Sequence, residues 1–328
     1  MPRSVTGSHA KAHRQRELSL VGVSTANIPF NPALASAMRR RRSRQAYVLL
    51  ALLSPGVVLI AALLVLPLAN VVLESFRQYV PGRIGGSLEL PYTLANYVAL
   101  LHPVYVNYLT TMLWCASLAT LGALVMSYPI AYVIARTKSG AIRICLIGLL
   151  VGLLFLSALV RVYSLELSFG TVGLGRTIAG LMGISSNSNA YATFLVIVGL
   201  VHHGIPLAAL LMIGAIQNIN PRLVEVGQAL GAPVWRAHLS VTLPLSMPGV
   251  LSAFLICYTI NLSAFVVPMI LGKGKIQFLS NLVYDRYAEL ANFPSGSAIA
   301  VQLLVVTLGI TYGVGWVLRC WTREGAGA

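Results

Sequence analysis

Acidic side chains are scarce: eight in 328 residues, against 23 lysines and arginines. Paired carboxylates for general acid–base work are missing, and no nucleophile constellation or ligand cluster supports a membrane enzyme. The phosphate-cradling pattern G-x-x-x-x-G-K-[ST] does not occur; Gly272-Lys273-Gly274-Lys275 lacks its spacing. No catalytic residue is therefore assigned, and no cofactor is expected on this chain. Four cysteines, Cys115, Cys145, Cys257 and Cys320, show no C-x-x-C spacing and indicate no disulfide framework. His202 and His203 are neighbours within one apolar span and point different ways round a helix, a poor joint metal site. There is no strong internal repeat and no low-complexity tract.

What the chain has in excess is apolar surface. It is 57% hydrophobic and 9% charged, too apolar for a soluble domain of this size. Six stretches can cross a hydrocarbon core as helices: approximately Ala46–Leu73, Leu109–Ala135, Ile144–Val160, Ala190–Ile213, Leu245–Leu271 and Ala298–Leu318. The third is short, with Arg143 and Arg161 placed to snorkel to the interfaces. The expected class is an all-α membrane protein of six transmembrane helices. The basic residues sit between spans rather than on one soluble face, which argues against a nucleic-acid partner. Sixteen of the 23 fall in the N-terminal tail, the loop after span two, the insert after span four and the C-terminus. The positive-inside rule then places both termini and the insert in the cytoplasm. The run Arg39–Arg44 before a long span reads as a start-transfer anchor of a multi-pass inner (plasma) membrane protein. The expected layout is a basic tail over 1–45, a helical domain over 46–320 and a short C-terminal tail over 321–328.

Span two carries small residues every fourth position: Ala119, Ala123, Ser127, Ala131 and Ala135. They form one ridge that lets helix backbones approach closely in lipid, within one subunit or between two. Leu174, Ile178, Leu181 and Met182 have the spacing of an interfacial helix.

The stretch between spans four and five, over 217–244, is polar. Asn220-Pro221 is a helix start, because proline's missing N–H has no partner at the first position anyway. Leu223, Val226, Gly227 and Leu230 then form one apolar stripe. Glu225 lies where the helix dipole favours an anion. Gly231 stops the helix; Pro233 begins a second, with Leu243-Pro244 expected to end it at the membrane. Two short helices of this kind are marginal alone, and either their own bundle and lipid or another protein must hold them. Intramembrane polar residues are functional suspects: Glu74, Arg161, Tyr163 and Glu166 near outer ends of spans, and Tyr258, Asn261 and Ser263 in span five.

Glu225-Val226-Gly227, then Gly231, then Val241-x-Leu243-Pro244 resembles the EAA loop of inner-membrane permeases of ATP-binding-cassette importers, spacing by spacing. Val226 and Gly227 replace the pattern's two alanines, and Val241 replaces isoleucine. Pro67, Ser75-Phe76 and the six-span layout extend the likeness over roughly 46–319. Arg161-Val162-Tyr163, Ala264–Pro268, Leu271-Gly272 and Gln277–Leu279 look similar to spermidine/putrescine-type permeases, a subfamily that also serves iron, opine and phosphonate-like importers.

The resemblance implies the type I importer permease (MetI-like) fold. It implies a second permease subunit sharing the pathway, a cytoplasmic ATPase dimer carrying ATP-Mg, and a periplasmic or surface solute-binding protein, all around the lipid bilayer. It implies ATPase coupling through Glu225, Val226, Gly227, Ala229, Leu230, Gly231, Leu243 and Pro244. An ion-coupled secondary transporter is the alternative; that class tends to carry mid-membrane carboxylates, and the mid-span regions here have none.

Overall fold

A computed structural model describes residues 32–324 apart from 83, 84, 88, 89, 172, 182 and 230, with side chains between 52 and 316 except that of 234. What was expected of residues 1–31, of Met182, of Leu230 and of residues 325–328 lies outside them. The chain divides into two compact units, Met1–Leu66 and Pro67–Ala328. Among the described residues there are helices and turns and no strands.

Helix α1 spans Pro32–Ser75. It starts at Pro32 rather than at Ala46, because proline suits a first helical turn and the arginine run that follows is a good helix former. Within the first unit, the described side chains from Leu52 to Leu66 are almost all exposed. An apolar helix uncovered by its own chain is stable where lipid replaces water.

The second unit continues with α2 (Ala95–Ala99), α3 (Pro103–Arg136), α4 (Gly140–Phe155), α5 (Ala158–Phe169), α6 (Gly175–Leu181) and α7 (Asn189–Gln217). Then come α8 (Arg222–Ala229), α9 (Val234–Ala237), α10 (Leu243–Leu262), α11 (Val266–Leu271), α12 (Leu279–Tyr284) and α13 (Phe293–Glu324). Among the described residues five helices are long and apolar enough to cross a membrane, or six if the bent pair α4–α5 is one span. Helix α13 runs past the boundary expected at 320.

The centre is α7 packed against α3 and α10. The small ridge faces inward: Ala119, Ala123, Ser127 and Ala131 are fully buried, and Ala135 is partly so. A β-carbon on Gly204 would lie 3.0 Å from the Ala123 methyl, so α3 and α7 touch nearly backbone to backbone. Ser127 Oγ donates to the Ile205 carbonyl at 3.0 Å. The ridge thus serves packing within the subunit. Helix α10 crosses α7 still more closely: a β-carbon on Gly249 would sit 2.1 Å from the Ala215 methyl.

Two expected spans are broken. The third bends by 91° between α4 and α5. Sixteen residues of α4 rise about 24 Å, short of a hydrocarbon core. A straight continuation would also carry Arg161 and Glu166 into lipid. The bend folds them back instead: Arg161 is 6% exposed, buried rather than snorkelling. The fifth stops at Leu262 and resumes at Val266. Pro268 cannot return an N–H to the Ala264 carbonyl. Ser280 Oγ supplies that donor at 2.6 Å, and Asn281 Nδ2 donates to the neighbouring Phe265 carbonyl at 3.0 Å.

Gly249→Ala should disrupt the α7–α10 crossing, costing about 1–3 kcal/mol and lowering the thermal midpoint in detergent; adding Ala215→Gly should restore it.

Candidate functional site

The hairpin between α7 and α10 is built as its residues suggest. Asn220 Oδ1 accepts from the Arg222 backbone N–H at 3.1 Å, ahead of α8. After Ala229 the chain closes with Ala232 N–H to the Gly227 carbonyl at 3.2 Å and Gly231 N–H to the Gln228 carbonyl at 2.9 Å. That is a Schellman cap, and Gly231 holds the left-handed conformation it requires, at φ +89°.

The second half departs from expectation. Leu243-Pro244 does not end the helix; α9 passes through a π turn, His238–Thr242, directly into α10. Leu243 N–H reaches back to the His238 carbonyl, five residues away. The widened turn just before Pro244 makes room for a ring that an α-helical register would crowd.

Polar contacts tie the hairpin to α3. Tyr132 Oη and His238 Nε2 share a hydrogen bond at 2.9 Å, with the two rings edge to face at 4.4 Å. Arg136 Nη1 donates to the Ile219 carbonyl at 3.0 Å. His238 Nδ1 stands 3.4 Å from the buried Thr242 hydroxyl. These anchors were not singled out from the sequence. Only Arg136, at the end of an apolar span, carried a signal.

The apolar stripe of α8 does not face its own bundle. Val224 is buried and Gly227 lies against Ala237, so the inward face is offset by one residue from the expected one. Leu223 and Val226 point outward, Val226 being 58% exposed. Glu225, Ala229 and Gly231 are exposed too, as are Trp235 and Leu239 on the second arm. Leu243 is half-buried and Pro244 exposed. The result is an ordered hairpin, fixed at its base, with an uncovered apolar rim that carries Glu225.

The proposed pathway residues do not converge. Glu74 pairs with Arg77 at 2.8 Å and accepts from the Gly86 N–H. Glu166 pairs with Lys273 at 2.7 Å, tying α5 to the turn after α11. Arg161, on α5 with Glu166, keeps Nε and Nη1 without a partner among the described residues. Tyr163 is exposed. Tyr258 accepts from Ser117 Oγ at 3.3 Å, and Asn261 donates to Thr120 Oγ1 at 3.0 Å. Both are polar clasps between α10 and α3 inside the bundle. Ser263, by contrast, lines an apolar groove of about 490 Å³ with Leu68, Val71, Ser280, Leu304 and Thr307. Among the described residues no three metal-ligating side chains come together.

Residues 127–319 match the profile of the binding-protein-dependent transport system inner membrane component. The chain belongs to that family. The match covers more than half of the sequence and contains the whole hairpin. The spermidine/putrescine transport system permease protein PotB of Haemophilus influenzae is 29% identical over 218 residues, 66% of this chain and 76% of its own. PotB of Escherichia coli K12 is 27% identical over 231 residues, covering 70% and 83%. The molybdenum transport system permease protein ModB of Mycobacterium bovis is 26% identical over 201 residues, covering 61% and 75%. Among solved structures, a bacterial alginate ABC transporter in complex with a pentasaccharide-bound periplasmic protein shares the fold. It gives a TM-score of 0.68 at 18% identity, over 86% of this chain and 98% of that one. The chain is therefore an inner-membrane permease subunit of an ABC importer, and the ion-coupled alternative falls away.

Gly227→Ala should be tolerated, because its methyl would meet Ala237 at an ordinary 3.4 Å. It should stabilise α8 by about 1 kcal/mol, seen as slower amide exchange over 222–229.

Proposed function

We propose that this permease subunit passes polyamines of the spermidine/putrescine class across the membrane, driven by a separate ATPase dimer that grips the hairpin over 217–244. The observation that carries the coupling half is the uncovered rim of an otherwise anchored hairpin. Leu223, Val226 and Glu225 stand exposed on a helix whose base is fixed by Tyr132 and Arg136. An apolar rim that the chain leaves bare, with Glu225 on it, suits a cleft in a cytoplasmic partner. The continuous run from α9 through the π turn into α10 gives such a partner a lever on the membrane span.

Coupling then works as a bias on a two-state bundle. Nucleotide-driven movement of the ATPase shifts the hairpin, and α10 carries the shift to the opposite end of the bundle. Reciprocity requires that substrate arriving there alter the ATPase's affinity for nucleotide. In this reading ATP-Mg binds the ATPase, Glu225, Val226, Ala229 and Gly231 meet it, and Gly227 and Leu243 hold the hairpin's own geometry. A second permease subunit completes the pathway, and a solute-binding protein delivers cargo to the outer face. Support for the substrate class comes from the PotB relatives and from the segments around Arg161 and Pro268 that resemble such permeases.

Glu225→Lys and Gly231→Asp should leave the protein in the membrane at normal abundance but cut uptake of spermidine or putrescine at least tenfold while the complex still hydrolyses ATP. Uptake by both variants at the wild-type rate in proteoliposomes would argue against the docking role.

A further inference from the structure

At the end of α10 opposite the hairpin, a cavity of about 170 Å³ is walled by Phe265, Gln277, Asn281, Tyr284, Asp285 and Glu289. Asp285 is the chain's one aspartate. It and Glu289 bound a single π turn, Asp285–Glu289, after α12, four residues apart and on the same side. A chain so poor in acids places two of its eight in one hollow.

Neither carboxylate has an ion-pair partner within 4 Å among the described residues, although three cations lie close by in sequence. Each of those cations is engaged elsewhere. Arg286 Nη2 donates to Tyr105 Oη at 2.6 Å. Lys273 holds Glu166 at 2.7 Å, and Lys275 holds Asn187 Oδ1 at 2.6 Å. The direct bonds of all three cations thus go to groups other than Asp285 and Glu289. Burial pushes the Asp285 carboxyl above the ordinary range; the charge of Glu289 adds to this and Arg286 partly offsets it. A positive ligand would relieve that cost.

The remaining walls select among cations. Asn281 is committed, donating to the Phe265 carbonyl and accepting from the Phe278 N–H at 3.0 Å, so it is a rigid wall rather than a free ligand. Phe265 and Tyr284 stand with ring centroids 5.2 Å apart at the same cavity. Aromatic faces attract organic cations, whereas a bare metal ion would want more oxygen ligands than two carboxylates. The volume is below the roughly 300–1,000 Å³ of whole-ligand pockets, enough for an end group and the first methylenes behind it.

We propose that this cavity seats a primary ammonium group, the end of a linear alkylamine, held by Asp285 and Glu289 with Phe265 and Tyr284 as aromatic walls. It gives this permease a contact of its own with cargo, and as a site for transported amine it rests on the import reading above. The site belongs to the segment that also closes the break in the fifth span, since Asn281 serves both. Occupation of the cavity therefore bears on the break in the fifth span.

The test uses the assembled importer, without its solute-binding protein, in lipid nanodiscs, with 1,4-diaminobutane as probe and 1,4-butanediol and calcium as controls. Asp285→Asn and Glu289→Gln keep shape and remove charge. Each should weaken equilibrium binding of the diamine roughly tenfold or more and raise the KM of uptake in proteoliposomes. The diol should not bind. Tyr284→Leu, which leaves both carboxylates, should weaken diamine binding by a smaller factor. Wild-type import of the diamine with unchanged binding and KM in both acid variants would overturn the cavity assignment and leave the import reading intact. Binding that depends on both acids in an importer that does not transport the diamine would sustain the cavity and overturn the import reading. Tight calcium binding lost in both variants, with no diamine binding, would overturn the ammonium assignment in favour of a metal site. No binding of any probe by the wild type would overturn it outright.

Discussion

A carbonyl that loses its helical partner inside a hydrocarbon layer must find another donor within the protein, and the segment α10–α12 is organised around one of them, that of Ala264. Pro268 frees the Ala264 carbonyl, while that of Phe265 keeps the Met269 N–H at 3.1 Å and takes a second donor. Ser280 and Asn281, adjacent on α12, answer one each. Because those two side chains reach back to the break, α12 is fixed beneath it. The turn that follows α12 brings Asp285 and Glu289 to the cavity under Phe265. The apolar groove containing Ser263 and Ser280 lies on the other side of the same short helix.

The same rule explains the opposite end of α10. Pro244 would crowd an α-helical turn, and the π turn His238–Thr242 absorbs it without stopping the helix. A clean termination there would have left the hairpin hinged on a loop. Continuity makes it stiff, and the Tyr132–His238 and Arg136–Ile219 contacts set its position on α3. The permease thus has two proline-marked interruptions on one long element. The lower one is bridged by a helix of different pitch, the upper by borrowed side-chain donors. Between them Asn261 and Tyr258 clasp α10 to α3, so the segment joining the two interruptions is held to the core.

Charge placement follows a related economy. Arg161 and Glu166 are turned inward by the bend between α4 and α5, and Glu166 finds Lys273 rather than the arginine on its own helix. Lys273 and Lys275, which look in the sequence like a loose basic turn, strap that turn to α5 and to the loop before α7. Their engagement leaves Asp285 and Glu289 without an ion pair among the described residues.

Much of this was legible in the residues. Apolar length gave the spans, because a hydrocarbon core demands about twenty apolar residues whatever else the chain does. The four-residue ridge of Ala119, Ala123, Ser127 and Ala131 gave the close packing of α3. Asn220-Pro221 and Gly231 gave the start and stop of α8, since caps depend on a residue's own backbone. The spacing from Glu225 to Pro244 gave the family. What the one-dimensional pattern left open was every relation between distant elements. The stripe on α8 was visible, but whether it covered its own bundle or faced outward depended on where α3 and α9 lie. The bend after Phe155 has no proline or glycine at its break to announce it; it turns Arg161 into the protein and brings Glu166 to Lys273 in the turn after α11. Asp285 and Glu289 were plainly present, yet only tertiary placement, by sending Arg286 to Tyr105 and both lysines elsewhere, decided that they stand without a counter-ion.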